Sequence, residues 1–199
     1  MIGAGFTTTD PVSGTHTTVL KGDRETKGMG WELEVRCPSS SQAHILEHIH
    51  TTWTETFEIT SGSANYKLNG EVLSASAGDI IVMPPNQPHV HPWNIGRTEM
   101  VYRQINQFEK PSPHAAQDVL GVFATLNGLS REGKLDQRGL PKNILQFAAS
   151  LRTLVKHGGY DAQVPIPVQD FIAGTLGRLA EALGYRSSYP KYLVSDSKV

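Results

Sequence analysis

His48-Ile49-His50-Thr51-Thr52-Trp53-Thr54-Glu55 sets two histidines one residue apart and follows them, after four residues, with a glutamate. On a strand, residues i and i+2 point to the same side, so His48 and His50 aim two imidazoles at one point. A short bend then lets Glu55 return a carboxylate to the same place. Two nitrogen donors and one oxygen suit a divalent transition metal and leave coordination positions open. A fourth donor stands further on, in Gly78-Asp79-Ile80-Ile81-Val82-Met83-Pro84-Pro85-Asn86-Gln87-Pro88-His89. There a buried strand ends in a proline-stiffened turn that presents His89, and in an antiparallel barrel the two strands can be neighbours.

The flanking residues read as short strands separated by turns, the pattern of an antiparallel β domain. Trp31, Leu33 and Val35 alternate with Glu32, Glu34 and Arg36. The run Ala43 to His50 sets His44, Leu46, His48 and His50 on one face and Ala43, Ile45, Glu47 and Ile49 on the other. Both faces hold apolar residues, so the outer one is expected to be covered. Glu55–Thr60 leads through Ser61-Gly62-Ser63 into Ala64–Leu68. Asn69-Gly70 then signals a type I′ hairpin, which needs positive φ at both central residues. Ala77-Gly78-Asp79 is a further turn, Ile80–Met83 a buried strand, and Glu99–Ile105 the last strand.

These residues resemble the cupin superfamily. Its first motif, His-x-His-x(3,4)-Glu-x6-Gly, fits His48, His50, Glu55 and Gly62. Its second, Gly-x5-Pro-x-Gly-x2-His-x3-Asn, fits Gly78, Pro84 and His89. Asn86 stands where the motif has glycine, and asparagine tolerates the left-handed conformation. Trp93 stands at the motif's final position, with Asn94 one residue later. The resemblance covers about residues 30–107. It implies a mainly β fold, a double-stranded β-helix (jelly-roll barrel), with His48, His50, Glu55 and His89 around one metal, and a homodimer.

After Phe108 the apolar period changes to about 3.6, which predicts three helices closing the chain. Ser112-Pro113 is the expected start of the first, with Ala116, Val119, Leu120, Phe123 and Leu126 buried. The second follows Pro141 and buries Ile144, Phe147, Ala148, Leu151 and Val155. The third follows Pro167, buries Val168, Phe171, Ile172, Leu176, Leu179 and Leu183, and closes on Gly184. The expected organisation is an N-terminal arm or strands over 1–29, the barrel over 30–107, a helical extension packed on it over 108–187, and a weakly ordered tail over 188–199. The helices are expected to cover the outer face marked by Ile45 and Ile49, or to support a dimer.

The chain has 199 residues, 18 basic and 19 acidic, for a net charge of −1, so nothing in it is built for a polyanion such as nucleic acid. No apolar run approaches the roughly 18–20 residues of a membrane span, and the start shows neither the basic nor the apolar region of a signal peptide. Cys37 is the single cysteine, which fits a reducing, cytoplasmic setting. Five of the eight histidines fall between His44 and His91. His44 lies four residues before His48, roughly 13 Å along a strand, which suits a pocket or rim residue better than a ligand. His91 is readable as a supporting group behind the ligands, an acid/base or a spare ligand. Pro92 should end the strand, which favours an ordinary loop histidine. Glu55 and His91 are thus the candidate proton carriers. Trp53 and Trp93 suit pocket lining or core equally, Glu58 a solvated position, and Tyr66, Tyr102 and Arg103 the orienting of a substrate. Fe(II) or Mn(II) is the favoured cofactor, with Zn, Ni or Cu as alternatives. The expected activity is oxidation of a small aromatic or polyketide-like molecule. A redox-neutral isomerase, cyclase or lyase and a metal-containing binding module are the alternatives.

Overall fold

The structure is a computed structural model, and it describes residues 2–39 and 46–195. Its strands are β1 (Thr7–Thr9), β2 (His16–Lys21), β3 (Gly30–Cys37), β4 (His48–His50), β5 (Trp53–Ser61), β6 (Ser63–Leu68), β7 (Glu71–Ser76), β8 (Ile80–Met83), β9 (His89–Asn94), β10 (Met100–Phe108) and β11 (Gly159–Asp161). They form two antiparallel sheets, in the orders β1-β2-β3-β10-β5-β8 and β11-β4-β9-β6-β7. This is the jelly-roll expected from the motifs, extended at one edge by β1 and β2 from the N-terminal segment. The expected strand over Ala43–His50 is described only at β4, and His44 and Ile45 lie outside the described residues.

Alternation places the core. Trp31, Leu33, Val35 and Cys37 of β3 are buried, as are Trp53, Phe57 and Ile59 of β5 and Met100, Tyr102 and Phe108 of β10. Glu55, Gln104 and Asn106 occupy inward positions of the same sheet and are buried too, which makes the centre of an otherwise apolar face polar. Two turns carry the chain between elements as the sequence predicts. Asn69 and Gly70 have φ of 50° and 86°, joining β6 to β7. Gly62, at φ 84°, switches the chain from β5 in one sheet to β6 in the other. A Cβ there would lie 2.9 Å from Met100 Cα, so the crossing needs glycine.

The helices are α1 (Asp23–Thr26), α2 (Ala115–Arg131), α3 (Ile144–Lys156), α4 (Ile166–Ile172), a π turn (Ala173–Gly177) and α5 (Arg178–Ala182). Helix α2 begins at Ala115 rather than after Ser112. Its first amides are capped from outside, Ala116 and Gln117 N–H donating to the Asp23 carboxylate at 3.1 and 2.8 Å. In α2, Ala116, Val119 and Leu120 are buried as expected, whereas Phe123 is 41% exposed. The last helical segment departs further. Val168, Phe171, Leu179 and Leu183 are exposed, as is Ile144 of α3, and the buried positions are Gln169, Ala173, Gly177 and Ala180. Backbone approaches backbone here: a Cβ on Gly177 would lie 3.0 Å from Ala148 O. Such a contact admits only small side chains, and the larger apolar residues turn outward. The chain end is not a loose tail over its whole length either, since Tyr189 N–H donates to Thr125 Oγ1 at 3.1 Å and its hydroxyl donates to Gln146 Oε1 at 2.8 Å.

The C-terminal segment contributes to the barrel itself. Strand β11 pairs with β4 in the register Gly159↔His50, Tyr160↔Ile49, Asp161↔His48. Thr51 N–H donates to Gly158 O at 2.8 Å and Thr52 Oγ1 to His157 O at 2.6 Å, which fixes the bend between β4 and β5. Among the described residues no helix is long and apolar enough to cross a membrane.

Candidate metal centre

Two adjacent strands supply the histidines and the facing sheet supplies the carboxylate. His48 of β4 pairs directly with His89 of β9, and the i, i+2 rule turns His50 and His91 to the same side. The four rings gather edge to face or stacked, with His48 and His89 centroids 4.4 Å apart and His89 and His91 5.9 Å apart. Across the barrel, Glu55 Oε2 lies 2.7 Å from His91 Nε2, 3.3 Å from His89 Nε2 and 3.8 Å from His50 Nδ1. His48, Glu55, His89 and His91 each offer a donor atom within 4.8 Å of all the others. His50 stands just outside that group, stacked on Trp53 at 3.9 Å between centroids.

Two of the rings have their tautomers set by the backbone. His48 Nδ1 lies 2.8 Å from Leu46 O, and His89 Nδ1 lies 2.8 Å from Gln87 O. A carbonyl oxygen only accepts, so both Nδ1 atoms carry hydrogen and both Nε2 atoms keep their lone pairs for the centre. Glu55 is held from behind. Its Oε1 accepts from Gln104 Nε2 at 2.9 Å and from the Asn106 amide nitrogen at 2.6 Å, while Asn106 Oδ1 accepts from Trp31 Nε1 at 2.7 Å. The other oxygen, Oε2, has no hydrogen-bond partner, and neither do His50 Nδ1, His89 Nε2 or His91 Nε2. His89, whose hydrogen sits on Nδ1, turns the lone pair of its Nε2 toward the Glu55 oxygen.

Burial first, and the neighbouring imidazoles after it, push His48 well below the ordinary histidine range. Burial likewise brings His50 down to about 3, against the pull of Glu55. Burial would raise Glu55, yet the His91 and His50 imidazoles beside it outweigh this and hold it well below the carboxylate range. At neutral pH His48 and His50 are therefore uncharged and Glu55 is an anion, the forms in which each can ligate a cation.

The structure thus brings together His48, His50, Glu55, His89 and His91. It corrects the reading of His91 as a loop residue: β9 runs through Pro92 to Asn94. Opposite β6 the register jumps, Lys67 facing Val90 and Asn65 facing Trp93, so one extra β9 residue sits in a bulge beside Pro92. A bulge interrupts the ladder, which is where a residue without an N–H is tolerated. The same extra residue accounts for the displaced asparagine. Asn94 is buried, donating to Cys37 O at 2.9 Å and Thr98 O at 2.7 Å, and Trp93 is turned partly outward. Asn86 adopts φ 65°, the left-handed form its place in the motif calls for, and its N–H donates to His50 O at 2.7 Å.

Of the other candidates, Trp53 is core, packed on Trp31 and Phe108 as well as His50. Arg103 faces outward, paired with Glu32 and with Glu58 at 3.3 Å, so it does not reach the barrel interior and Glu58 is not simply solvated. Tyr102 points inward, edge-on to Phe57, which in turn lies 5.0 Å from the His91 ring. Burial raises the Tyr102 phenol well above its usual range, so its proton stays on. Gln104 and Asn106 escape a sequence reading. The one signal is their parity with Tyr102 and Phe108 on a strand whose other inward residues are apolar.

Residues 39–105 match the family model described as a cupin domain, Cupin_2. Solved structures similar to the chain include an uncharacterized conserved protein with a double-stranded β-helix domain from Klebsiella pneumoniae, 19% identical, covering 56% of this chain and 85% of that one with a TM-score of 0.41. A cupin-like protein from Thermotoga maritima is 20% identical over 51% of this chain and 71% of that one, TM-score 0.42. A predicted oxalate decarboxylase from the same organism is 16% identical over 47% and 80%, TM-score 0.42. No curated protein matches the chain.

Proposed function

We propose that this chain, which carries a cupin domain over residues 39–105, is a metal-dependent enzyme that oxidises a small aromatic or polyketide-like molecule. One observation carries the reading: buried polar atoms of His50, Glu55, His89 and His91 converge without any hydrogen-bond partner. Such atoms are costly to bury unless something pairs with them, and a divalent cation pairs with all at once. His48, His50, Glu55 and His89 are the residues proposed to hold it, with Fe(II) or Mn(II) favoured. When bound, such a metal supplies Lewis acidity toward a substrate oxygen and, if redox-active, electron exchange with dioxygen.

The chain's own residues shape the rest. Gln104 and Asn106 fix one oxygen of Glu55 and so aim the other at the cluster. Phe57, Met83, Ile59 and Tyr102 are buried in the same apolar core as the cluster, surroundings that favour a flat, poorly hydrated molecule over a sugar phosphate. In a site of four protein donors, Glu55 and His91, whose facing atoms are 2.7 Å apart, would be the groups to hold a proton. The same reading carries a cytoplasmic homodimer. Its support is the single buried Cys37, and the exposed Ile80 and Val82 on β8, an edge strand of the first sheet.

The test is elemental analysis of the purified protein, repeated after anaerobic reconstitution with Fe(II), Mn(II), Zn(II) or Ni(II) and gel filtration. About one metal per chain is expected, reduced in His48→Ala and His89→Ala; no retained metal in any case would sink the proposal. Oxygen uptake with a panel of phenols, enols and diketones then separates the oxidative enzyme from a redox-neutral isomerase, cyclase or lyase, which would convert the substrate without consuming oxygen. Sedimentation of wild type against Ile80→Lys tests the dimer.

A further inference from the structure

We propose that His91 is a direct ligand, so that the centre presents five protein donors, four imidazoles and one carboxylate, and leaves a single position open to substrate. The inference rests on the metal-binding reading above and sharpens it. His91 turns one ring nitrogen into the cluster. Its Nε2 is buried without a hydrogen-bond partner and lies 2.7 Å from Glu55 Oε2, the carboxylate oxygen that itself has no partner. His91, not His50, belongs to the group whose donor atoms all fall within 4.8 Å of one another.

The backbone shows how the extra donor is accommodated. The cupin motif places asparagine four residues after its histidine, and here Asn94 comes five after His89. The added residue is taken up where two β9 residues oppose one residue of β6, directly after Val90. His91 keeps its strand parity with His89, the two rings nearly parallel at 9°, while the bulged Pro92 and, beyond it, Asn94 are both buried. Phe57 packs against the His91 ring, tilted by 57° with centroids 5.0 Å apart.

The consequence concerns the substrate class. A six-position metal held by four donors has two places free, enough for a molecule that chelates through two oxygens. Held by five, it has one. The substrate then binds through a single phenolate or enolate oxygen, and a chelating catechol or diketone binds only if a histidine leaves.

Co(II) titration of the whole protein tests this, read by visible absorption, by the exchangeable imidazole N–H signals in paramagnetic proton NMR, and by addition of the bidentate probe tropolone. Wild type should show four shifted imidazole signals, one for each of His48, His50, His89 and His91, and no tropolone complex. His91→Ala should show three, bind Co(II) at least about 100-fold more weakly, beyond what loss of an outer-sphere partner brings, and accept tropolone. His91→Gly with added imidazole should regain the wild-type spectrum. Three imidazole signals in wild type, or an unchanged spectrum and affinity in His91→Ala, would overturn the assignment while leaving the metal site in place. Failure of wild type to bind Co(II) at all would instead remove the function proposed above. The signal count uses unmodified protein, so it decides the matter even if the variants do not fold.

Discussion

Replacing Asn106 by leucine removes the residue that ties the Glu55 carboxylate to the Trp31 indole across the barrel floor. Asn106 is 2% exposed, its amide nitrogen donates to Glu55 Oε1 at 2.6 Å, and its oxygen accepts from Trp31 Nε1 at 2.7 Å. A hydrogen bond to a charged group contributes about 1.5–3 kcal/mol, and an indole N–H left buried without a partner costs about 1–3 kcal/mol. Leucine fills a similar volume, so packing offsets little of this, and the expected loss is about 3–5 kcal/mol. Against a net stability of about 5–15 kcal/mol for a domain, the variant should still fold. Gln104→Leu removes only one bond to the same oxygen, at 2.9 Å, and leaves the Trp31 indole paired, so it should cost about 1.5–3 kcal/mol. Urea unfolding of metal-free protein, followed by far-UV circular dichroism, measures both. A cycle with Glu55→Gln should show coupling in each case, because the carboxylate is the shared acceptor. A loss below about 1 kcal/mol in Asn106→Leu, or equal losses in both variants, would refute the idea that the polar floor is a connected network.

Phe57 is fully buried between the His91 and Tyr102 rings, so Phe57→Ala should cost about 3–5 kcal/mol in urea unfolding. Asp118 titrates below its usual value: burial acts to raise it, but hydrogen bonds from His157 and Lys156 prevail. Its contribution is therefore full above the unfolded pKa and lost as pH falls through the lower folded one, so Asp118→Asn should lower the thermal midpoint at neutral pH, and the gap to wild type should close in acid below about pH 4. An unchanging gap across that range would mean the pair acts by packing alone. Phe171 is 70% exposed on the outward face of α4, and Phe171→Ser should move stability by no more than about 0.5 kcal/mol, whereas the buried stripe expected from periodicity would make it costly.

What could be read from the sequence follows the range over which each feature is decided. His48 and His50 share a face because of strand parity alone, and Gly62 is required because of a local crossing, so both were visible in the residues themselves. The orientation of Gln104 and Asn106 is fixed only by the pairing of β10 with β5, where Asn106 faces Glu55 from a strand remote in sequence. The helical stripe failed for a different reason. Its apolar period is real, but burial went to the face where Gly177 and Ala148 let two backbones approach, and the π turn over Ala173–Gly177 interrupts the register on which a stripe depends. His91 lies between these cases. Strand parity put it beside His89 just as it put His50 beside His48, but a proline in the next position argued against the strand continuing. The displaced asparagine and the proline were two signs of one event, a single added residue that bulges β9 exactly where a missing N–H does no harm. That residue leaves the barrel topology intact and keeps Asn94 buried one position later, while His91 owes its inward direction to strand parity alone.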